Sequence, residues 1–515
     1  MERPQSRTRK VVVVGAGPVG CLSAMAMARL GWDVEVYDGR PDIRLPSSKA
    51  AAQQRSINLA ISSRGISALQ AIDPAAADRF LQTVIPMRGR MIHDIQGAMH
   101  SQLYDRYGQC INSIDRALLN QGLLDEVSSV PNVHIFFQHK VNGVNFEEGK
   151  LTIQDIDSGL DREVSFEFCI GADGSYSVVR RQLMRVVRMD YQQGFIPHEY
   201  VELKMPAGKD DSGNPTFLLD PNHLHIWPRH SFMLIALPNK DKTFTCTLFA
   251  PTAELDDLRD QATILAWFKR YFPDAVELIG QKTLLDDFQH NPRSPLMSIK
   301  AKPYHYKDRA VLLGDAAHAM VPFYGQGLNC GLEDVRVLDS LLRAEGVDSK
   351  IPENPRADAG FQSATDEKKR EPDDALARAL QRYSDTRHKD LVAICDLAMD
   401  NFVEMRHAVT TPTYLFRKAL DNLLYLATAR KPPAAWDGVL SASSSPFPAG
   451  QANGEWLPLY TMVTFRPDIS YNVAKSKAER QSRILLGVGW CATAVTGMVC
   501  VGFGLAHLNK LYRRV

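Results

Sequence analysis

The chain predicts an α/β fold, and three stretches carry that prediction. Each is a short apolar strand that ends at glycine and then enters a helix: Val11-Val-Val-Val14 into Gly15, Phe168-Cys-Ile170 into Gly171, and Ala310-Val-Leu-Leu313 into Gly314; the last two also carry an aspartate, Asp173 and Asp315, in the turn. Strands covered on both faces read as continuous apolar runs, and open α/β sheets bind ligands at the carboxyl ends of such strands. At 515 residues the chain exceeds what one core supports, so two or three domains are expected.

The first stretch is followed by Gly15-Ala-Gly-Pro-Val-Gly20, a helical Cys21 to Leu30, and a second strand, Val34-Glu-Val-Tyr37, ending at Asp38. This is a dinucleotide fingerprint with its strand, helix and acid in register. Gly15 makes the tight turn, Gly17 lets backbone approach a pyrophosphate, and Gly20 permits close helix-to-strand packing. Asp38 stands 18 residues after Gly20, within reach of ribose hydroxyls.

The second stretch continues as Gly171-Ala-Asp-Gly-Ser-Tyr-Ser-Val-Val-Arg180, a turn with Asp173 before a Ser-rich helix start. From Tyr200 to Phe249 the pattern alternates in strand fashion, broken at Pro228 and at Pro238-Asn239, so a mixed or antiparallel sheet is inserted there. Helical segments near Ala262 to Tyr271 should cover it. In the third stretch Asp315 follows Gly314, and Leu328, Leu332, Val335, Leu338 and Leu342 recur at helical spacing. A helix starting near Gly327 would point free N–H groups at whatever lies above Asp315.

Gly346 to Asp374 is charged and poor in large apolar residues, and reads as a mobile surface insertion. Helical periodicity resumes from Ala375 to Arg406 and places Asn401 and Glu404 on one face. Lys431 to Gly454 reads as a second flexible connector, and Trp456 to Phe465 is an apolar, aromatic segment. Ile484 to Ala506 then has no charged residue and is bracketed by Lys475, Lys477, Arg480 and Arg483 before it and Lys510, Arg513 and Arg514 after it. Its length matches a hydrocarbon core of roughly 30 Å, and its glycines are tolerated in membrane helices. It is expected to be a tail anchor spanning 484–508, in the mitochondrial outer membrane, with the body facing the cytosol.

Lys plus Arg number 60 against 59 acids, so no basic field is present to recruit nucleic acid. The eight cysteines form no Cys-x-x-Cys pair, which argues for a reducing compartment and against structural zinc. His223 and His225 alternate along a strand and read as strand surface; no metal site is expected.

In this order, Gly15 to Gly20 with Asp38, Gly171 to Arg180 and Gly314 to Gly331 resemble the single-component aromatic flavoprotein hydroxylases. A closer resemblance, to the members that act on kynurenine, rests on Arg55-Ser-Ile-Asn-Leu-Ala60, Ile85-Pro-Met-Arg-Gly-Arg-Met-Ile-His93, His223-Leu-His-Ile-Trp-Pro-Arg229, Thr243 to Phe249 and Leu459 to Phe465. The resemblance implies FAD as cofactor, with NADPH and O2 consumed, and transfer of oxygen from a flavin hydroperoxide to the ring of L-kynurenine, giving 3-hydroxykynurenine. It implies cofactor contacts at Gly15, Gly17, Gly20, Asp38, Arg40, Ala60, Arg116, Asp173, Asp315, Leu328 and Asn329. Arg90 and Tyr104 match its carboxylate-binding pair, closed over by Asn401 and Tyr460, with Glu404 at Asn401 or at the substrate amine. Phe323 and Tyr324 would wall the ring pocket. No protein nucleophile or proton-transfer residue is required.

The implied architecture is an FAD-binding Rossmann-like domain (1–75, 103–185 and 300–345) with an inserted mixed-sheet substrate domain (76–102 and 186–299). The insertion 346–374, a helical region 375–483 and the membrane segment follow. A membrane-attached flavin monooxygenase for an apolar substrate and a flavin-fold binding protein without redox activity are the alternatives; a polar Arg90, Tyr104 and Asn401 set disfavours the first.

Overall fold

A computed structural model describes residues 6–48, 58–104, 108–352, 372–407, 409, 411–428 and 455–487. The three motif strands lie side by side in one six-stranded sheet. Its order runs His305–Tyr306, Ala310–Leu312, Phe168–Gly171, Lys10–Val14, Asp33–Asp38, Val133–Phe137, parallel throughout except at the His305–Tyr306 edge. The register pairs Gly171 with both Val14 and Leu312, so all three motif turns leave the sheet at the same edge. Val11, Val12, Val13, Phe168, Ile170 and Val311 have no exposure, as expected for strands covered on both faces.

The predicted mixed sheet is seven-stranded. Ser294–Lys302, Asp190–Met205, Phe244–Pro251, Phe232–Pro238, His223–Arg229, Gly89–His93 and Met99–Leu103 follow one another, antiparallel but for the parallel pair His223–Arg229 and Gly89–His93. One face is sealed by the helices Gln261–Tyr271, Pro273–Ile279 and Gln281–His290 through a core that includes Trp227, Phe244, Phe268 and Phe272. The other face carries Arg90 and His198, which meet Glu404 and Phe402 of the C-terminal helix Asp374–Arg406. A small antiparallel sheet of Asn58–Ile61, Ile111–Asp115 and Ile85–Met87 bridges the two larger sheets.

The insertion 346–374 begins in an ordered way: Lys350–Pro352 pairs with Ser6–Thr8. Its remainder, 353–371, lies outside the described residues, as does the connector 431–454. At its far end Asp373 caps the 33-residue helix Asp374–Arg406 and is paired with buried Arg9. The helices Pro412–Thr428 and Leu459–Phe465 follow, and residues 471–487 are helical. Among the described residues no helix is long and apolar enough to cross a membrane. The expected span lies outside them from residue 488 onward.

A buried ionic joint ties this C-terminal layer to the sheet domain. Arg64 pairs with Glu333 at 2.7 Å, Glu333 with Arg387 at 2.9 Å, and Arg387 with Asp334 at 2.9 Å. Arg64 also donates to the carbonyls of Val463 and Ile469 and lies 4.1 Å from the Tyr471 ring centroid. Four ionised groups can share a dry interior because every charge has an opposite neighbour; removing one would strand the rest.

Candidate active site

At the sheet edge the groups offered to a ligand are mostly backbone. Gly15 has φ 101°, and a Cβ there would lie 2.5 Å from the Ala172 carbonyl oxygen. At Gly20 a Cβ would meet the Gly15 carbonyl oxygen at 1.9 Å, whereas at Gly17 it would meet nothing. Helix Pro18–Arg29 therefore starts under open space, with Gly17 as an N-cap that has no capping side chain. A second uncapped N-terminus opens helix Gly327–Ala344, where the Gln326 side chain instead accepts from the Tyr471 hydroxyl at 3.0 Å. Unsatisfied N–H groups at two helix starts along one edge suit the pyrophosphate and an electron-rich ring system of a dinucleotide such as FAD.

The acids expected there differ in what they hold. Asp38 is buried and accepts from the Ala16 N–H at 2.8 Å and from the Arg40 side chain at 2.7 and 3.0 Å. Burial pushes its carboxyl up, but the bonds and charge of Arg40 outweigh this and hold it below the usual range. Asp173 is occupied by its own chain, accepting from Ser177 Oγ and the Val178 and Val179 N–H groups at the start of helix Val178–Val186. Asp315 is exposed in the turn that follows strand Ala310–Leu312, with protein close around it. The surrounding protein raises its carboxyl, and the Arg116 charge opposes that shift. Arg116 is exposed at the first turn of helix Arg116–Ser128.

Asn329 acts as a staple. Its Nδ2 donates to the Ala60 carbonyl at 2.8 Å and its Oδ1 accepts from the Ser62 N–H at 2.8 Å, fixing strand Asn58–Ile61 to the helix start beside Leu328. Sequence reasoning missed two further braces. Arg180 donates to the Ala316 carbonyl at 2.8 Å, joining the second motif to the third. Asp334 accepts from the Gly314 N–H at 3.1 Å and pairs with His318 at 2.5 Å. His318, Cys330 and Asp334 have ligand-type atoms within 4.8 Å of one another. Arg387, which lies 2.9 Å from the Asp334 carboxylate and 3.4 Å from the Cys330 sulfur, already stands where a cation would go.

Across the cleft the working groups are side chains. Arg90 is 5% exposed and projects from strand Gly89–His93 toward Glu404 of helix Asp374–Arg406, at 3.1 Å. Its guanidinium lies 5.0 Å from the Tyr460 ring and 5.8 Å from the Tyr104 ring. Tyr104 and Tyr460 stack at 4.8 Å, and Tyr324 stacks on Tyr460 at 5.7 Å. The Tyr104 hydroxyl is buried with no hydrogen-bond partner among the described residues. Burial disfavours the charge on Arg90, but Glu404 and the surrounding tyrosines reverse this and raise its pKa. Asn401 is near but turned aside: it donates to the Phe323 carbonyl at 2.8 Å and so positions the Phe323 ring, which stacks on Phe402 at 4.1 Å.

Residues 8–349 match a family model described as FAD binding domain. A relative from Cryptococcus neoformans, called kynurenine 3-monooxygenase, is 44% identical over 98% of this chain and 98% of its own length. Relatives of that name from Yarrowia lipolytica and Saccharomyces cerevisiae are 44% and 39% identical, each over 96% of this chain and over 96% and 97% of their own. The chain belongs to the kynurenine 3-monooxygenase family.

The fold agrees with this membership. A solved 2-methyl-3-hydroxypyridine-5-carboxylic acid oxygenase aligns with a TM-score of 0.57 at 17% identity, covering 79% of this chain and 95% of its own. A probable FAD-dependent monooxygenase from Pseudomonas aeruginosa aligns at 0.58 and 17%, covering 80% and 100%. As in its family, this chain binds FAD; the two uncapped helix starts with Asp38, Arg40, Arg116 and Asp315 are groups that could hold it.

The structure adds members to the cluster around Arg90 that sequence reasoning missed. Helix Pro412–Thr428 sends Tyr414 and Lys418, one turn apart, toward Arg90. Tyr414 donates to Glu404 at 2.9 Å and Lys418 to Gln102 at 3.2 Å; Gln102 is the cross-strand neighbour of Arg90. Burial, and then the Arg90 charge, push the Lys418 ammonium down to about 8. Nothing in the sequence marked the pair, because helix Pro412–Thr428 also carries Arg417, Asp421 and Asn422.

Proposed function

We propose that the chain hydroxylates L-kynurenine to 3-hydroxykynurenine, consuming NADPH and O2 with FAD as cofactor. The observation that carries this is the buried Arg90, with Glu404, Tyr104 and Tyr460 around it and Tyr460 stacked on Tyr324, just before helix Gly327–Ala344, in a chain of this family. Bound FAD supplies the redox chemistry: it takes electrons from NADPH and activates oxygen. The chain's own groups bind, orient and exclude water. Arg90 offers a planar fork to the substrate carboxylate, which Lys could not match. The unpartnered Tyr104 hydroxyl is free to donate to the same carboxylate. Glu404 suits the α-ammonium, and Tyr324, Phe323 and Phe402 form an apolar wall against which the aniline ring can lie.

Two cations, Arg90 and Lys418, face one acid, Glu404, so the site holds an excess positive charge that favours a carboxylate beside Arg90 and Lys418 and leaves Glu404 for the ammonium. An apolar ring compound would leave that charge buried and unpaired. The test is NADPH consumption by the FAD-loaded protein across a panel of aromatic amino acids. Stimulation by L-kynurenine, with a product heavier by one oxygen, is expected; no stimulation by any member would refute the reading.

The same proposal covers location. The charge-free stretch Ile484 to Ala506, flanked by cations, supports a tail anchor in the mitochondrial outer membrane with the catalytic body in the cytosol. Deleting residues 484–515 should release the protein from membranes, and unchanged pelleting would refute the anchor.

A further inference from the structure

Helix Pro412–Thr428 is amphipathic the wrong way round for a helix facing water. Three of its polar side chains point inward, Tyr414 to Glu404, Lys418 to Gln102, and Asp421 to the Trp456 indole N–H at 2.9 Å, while Arg417 and Asn422 are exposed. The rest of its outward face is mainly apolar. Leu415, Leu423 and Leu426, spaced along one stripe with Ala419 between them, are 46, 60 and 44% exposed, and Phe416 beside them is 71% exposed. A surface helix of a soluble domain shows the opposite arrangement, and a contiguous apolar patch rimmed by polar groups marks a surface meant for an apolar partner.

The chain's own course indicates which partner. Arg417 donates to Ser482 Oγ at 2.6 Å, tying this helix to the helical residues 471–487. At the end of that second helix Ile484 and Leu486 are likewise 49 and 63% exposed. The next residues are the charge-free stretch that runs to Ala506. Just before it stand Lys475, Lys477, Arg480 and Arg483, cations of the kind that line a headgroup boundary. The apolar faces of two joined helices thus lie where the chain passes into its most apolar segment.

We infer that helix Pro412–Thr428 lies in the surface of the lipid bilayer, with Leu415, Phe416, Leu423 and Leu426 buried among the acyl chains. The inference rests on the proposed membrane attachment and goes beyond it. The helix that meets lipid on one side carries Tyr414 and Lys418 into the substrate site on the other, so the bilayer is a structural support of that site.

The test uses the full chain in phosphatidylcholine vesicles, with and without brominated acyl chains, which quench tryptophan only on contact. The variants are Phe416→Trp and Leu423→Trp on the outer face and Tyr425→Trp on the inner. Their emission is read as the difference from the unsubstituted chain. The two outer tryptophans should lose most of their added emission to brominated lipid and resist aqueous iodide, while the inner one should be unaffected by bromine. If the protein floats with vesicles but the outer tryptophans escape bromine quenching, the inference fails and the anchor stands. Iodide sensitivity would then identify a solvent face, and protection from both quenchers a protein partner or a second copy. If the protein does not float, the anchor and the inference fail together.

Discussion

At the end proposed for the cofactor the groups on offer are backbone amides at two helix starts; at the end proposed for the substrate they are side chains drawn from strand Gly89–His93, strand Met99–Leu103 and its continuation, and three C-terminal helices. The first end needs glycine where a Cβ would collide, as at Gly20 with only 1.9 Å to the Gly15 oxygen. The second needs partners for charge, as Arg90 needs Glu404. Backbone cradles are local in sequence and leave a motif. Side-chain constellations are assembled from positions some 300 residues apart and leave none. The two ends are therefore separable by mutation, except where the ionic joint of Arg64, Glu333 and Arg387 holds them together.

Breaking that joint should have the largest effect. Arg64→Met leaves Glu333 short of a partner and frees the carbonyls of Val463 and Ile469, so a loss of about 3–5 kcal/mol of stability is expected in denaturant unfolding. Both FAD content and substrate affinity should fall together; loss of one alone would show that the ends are not coupled through it.

Arg90→Met isolates the substrate end. Its kcat/KM for L-kynurenine should drop by about 2–5 kcal/mol, a factor of tens to thousands, because the substrate carboxylate loses its charge partner. FAD content should stay at the wild-type level. The mirror experiment is Gly20→Ala, which overpacks the fingerprint turn and should cost about 1–3 kcal/mol and lower FAD affinity. Equal loss of both ligands in either variant would erase the distinction.

A smaller effect is pH-dependent. Lys418 is an ammonium below about 8 and neutral above it, so the site loses its excess positive charge as pH rises and KM for the substrate carboxylate should increase. Lys418→Met should remove that rise. The sign for folding is opposite: between about 8 and the ordinary 10.5 the folded chain binds fewer protons at Lys418 than the unfolded one, so this group's contribution to stability grows with pH. Tyr104→Phe should be the mildest. It removes a buried hydroxyl that lacks a partner, so stability should hold or rise slightly while KM rises by about 0.5–1.5 kcal/mol, roughly two- to twelvefold.

The contrast explains what the sequence made legible. The three strand-to-glycine turns and the mixed sheet were readable because buried parallel strands and alternating strands have distinct periods, and each turn demands particular residues. The staple role of Asn329 and the capping role of Asp173 were not, since a motif position says that a residue is near the cofactor and not which way its side chain turns. Asn401 is the same case, aimed at the Phe323 carbonyl. Tyr414 and Lys418 were hidden because their helix shows an ordinary apolar periodicity; only the fold reveals that these two face in. The ordered strand Lys350–Pro352 inside a charged, Pro-containing insertion was missed for a related reason: its pairing partner is Ser6–Thr8, at the other end of the domain.

The proposed substrate end is a charge-matched site for an amino-acid carboxylate. The most direct measurement compares kcat/KM for L-kynurenine and for its decarboxylated amine, in the wild-type chain and in Arg90→Met, both fully loaded with FAD. The wild type should strongly prefer the carboxylate-bearing compound, and Arg90→Met should lose most of that preference by losing activity toward L-kynurenine alone. An undiminished preference in Arg90→Met would contradict the claim.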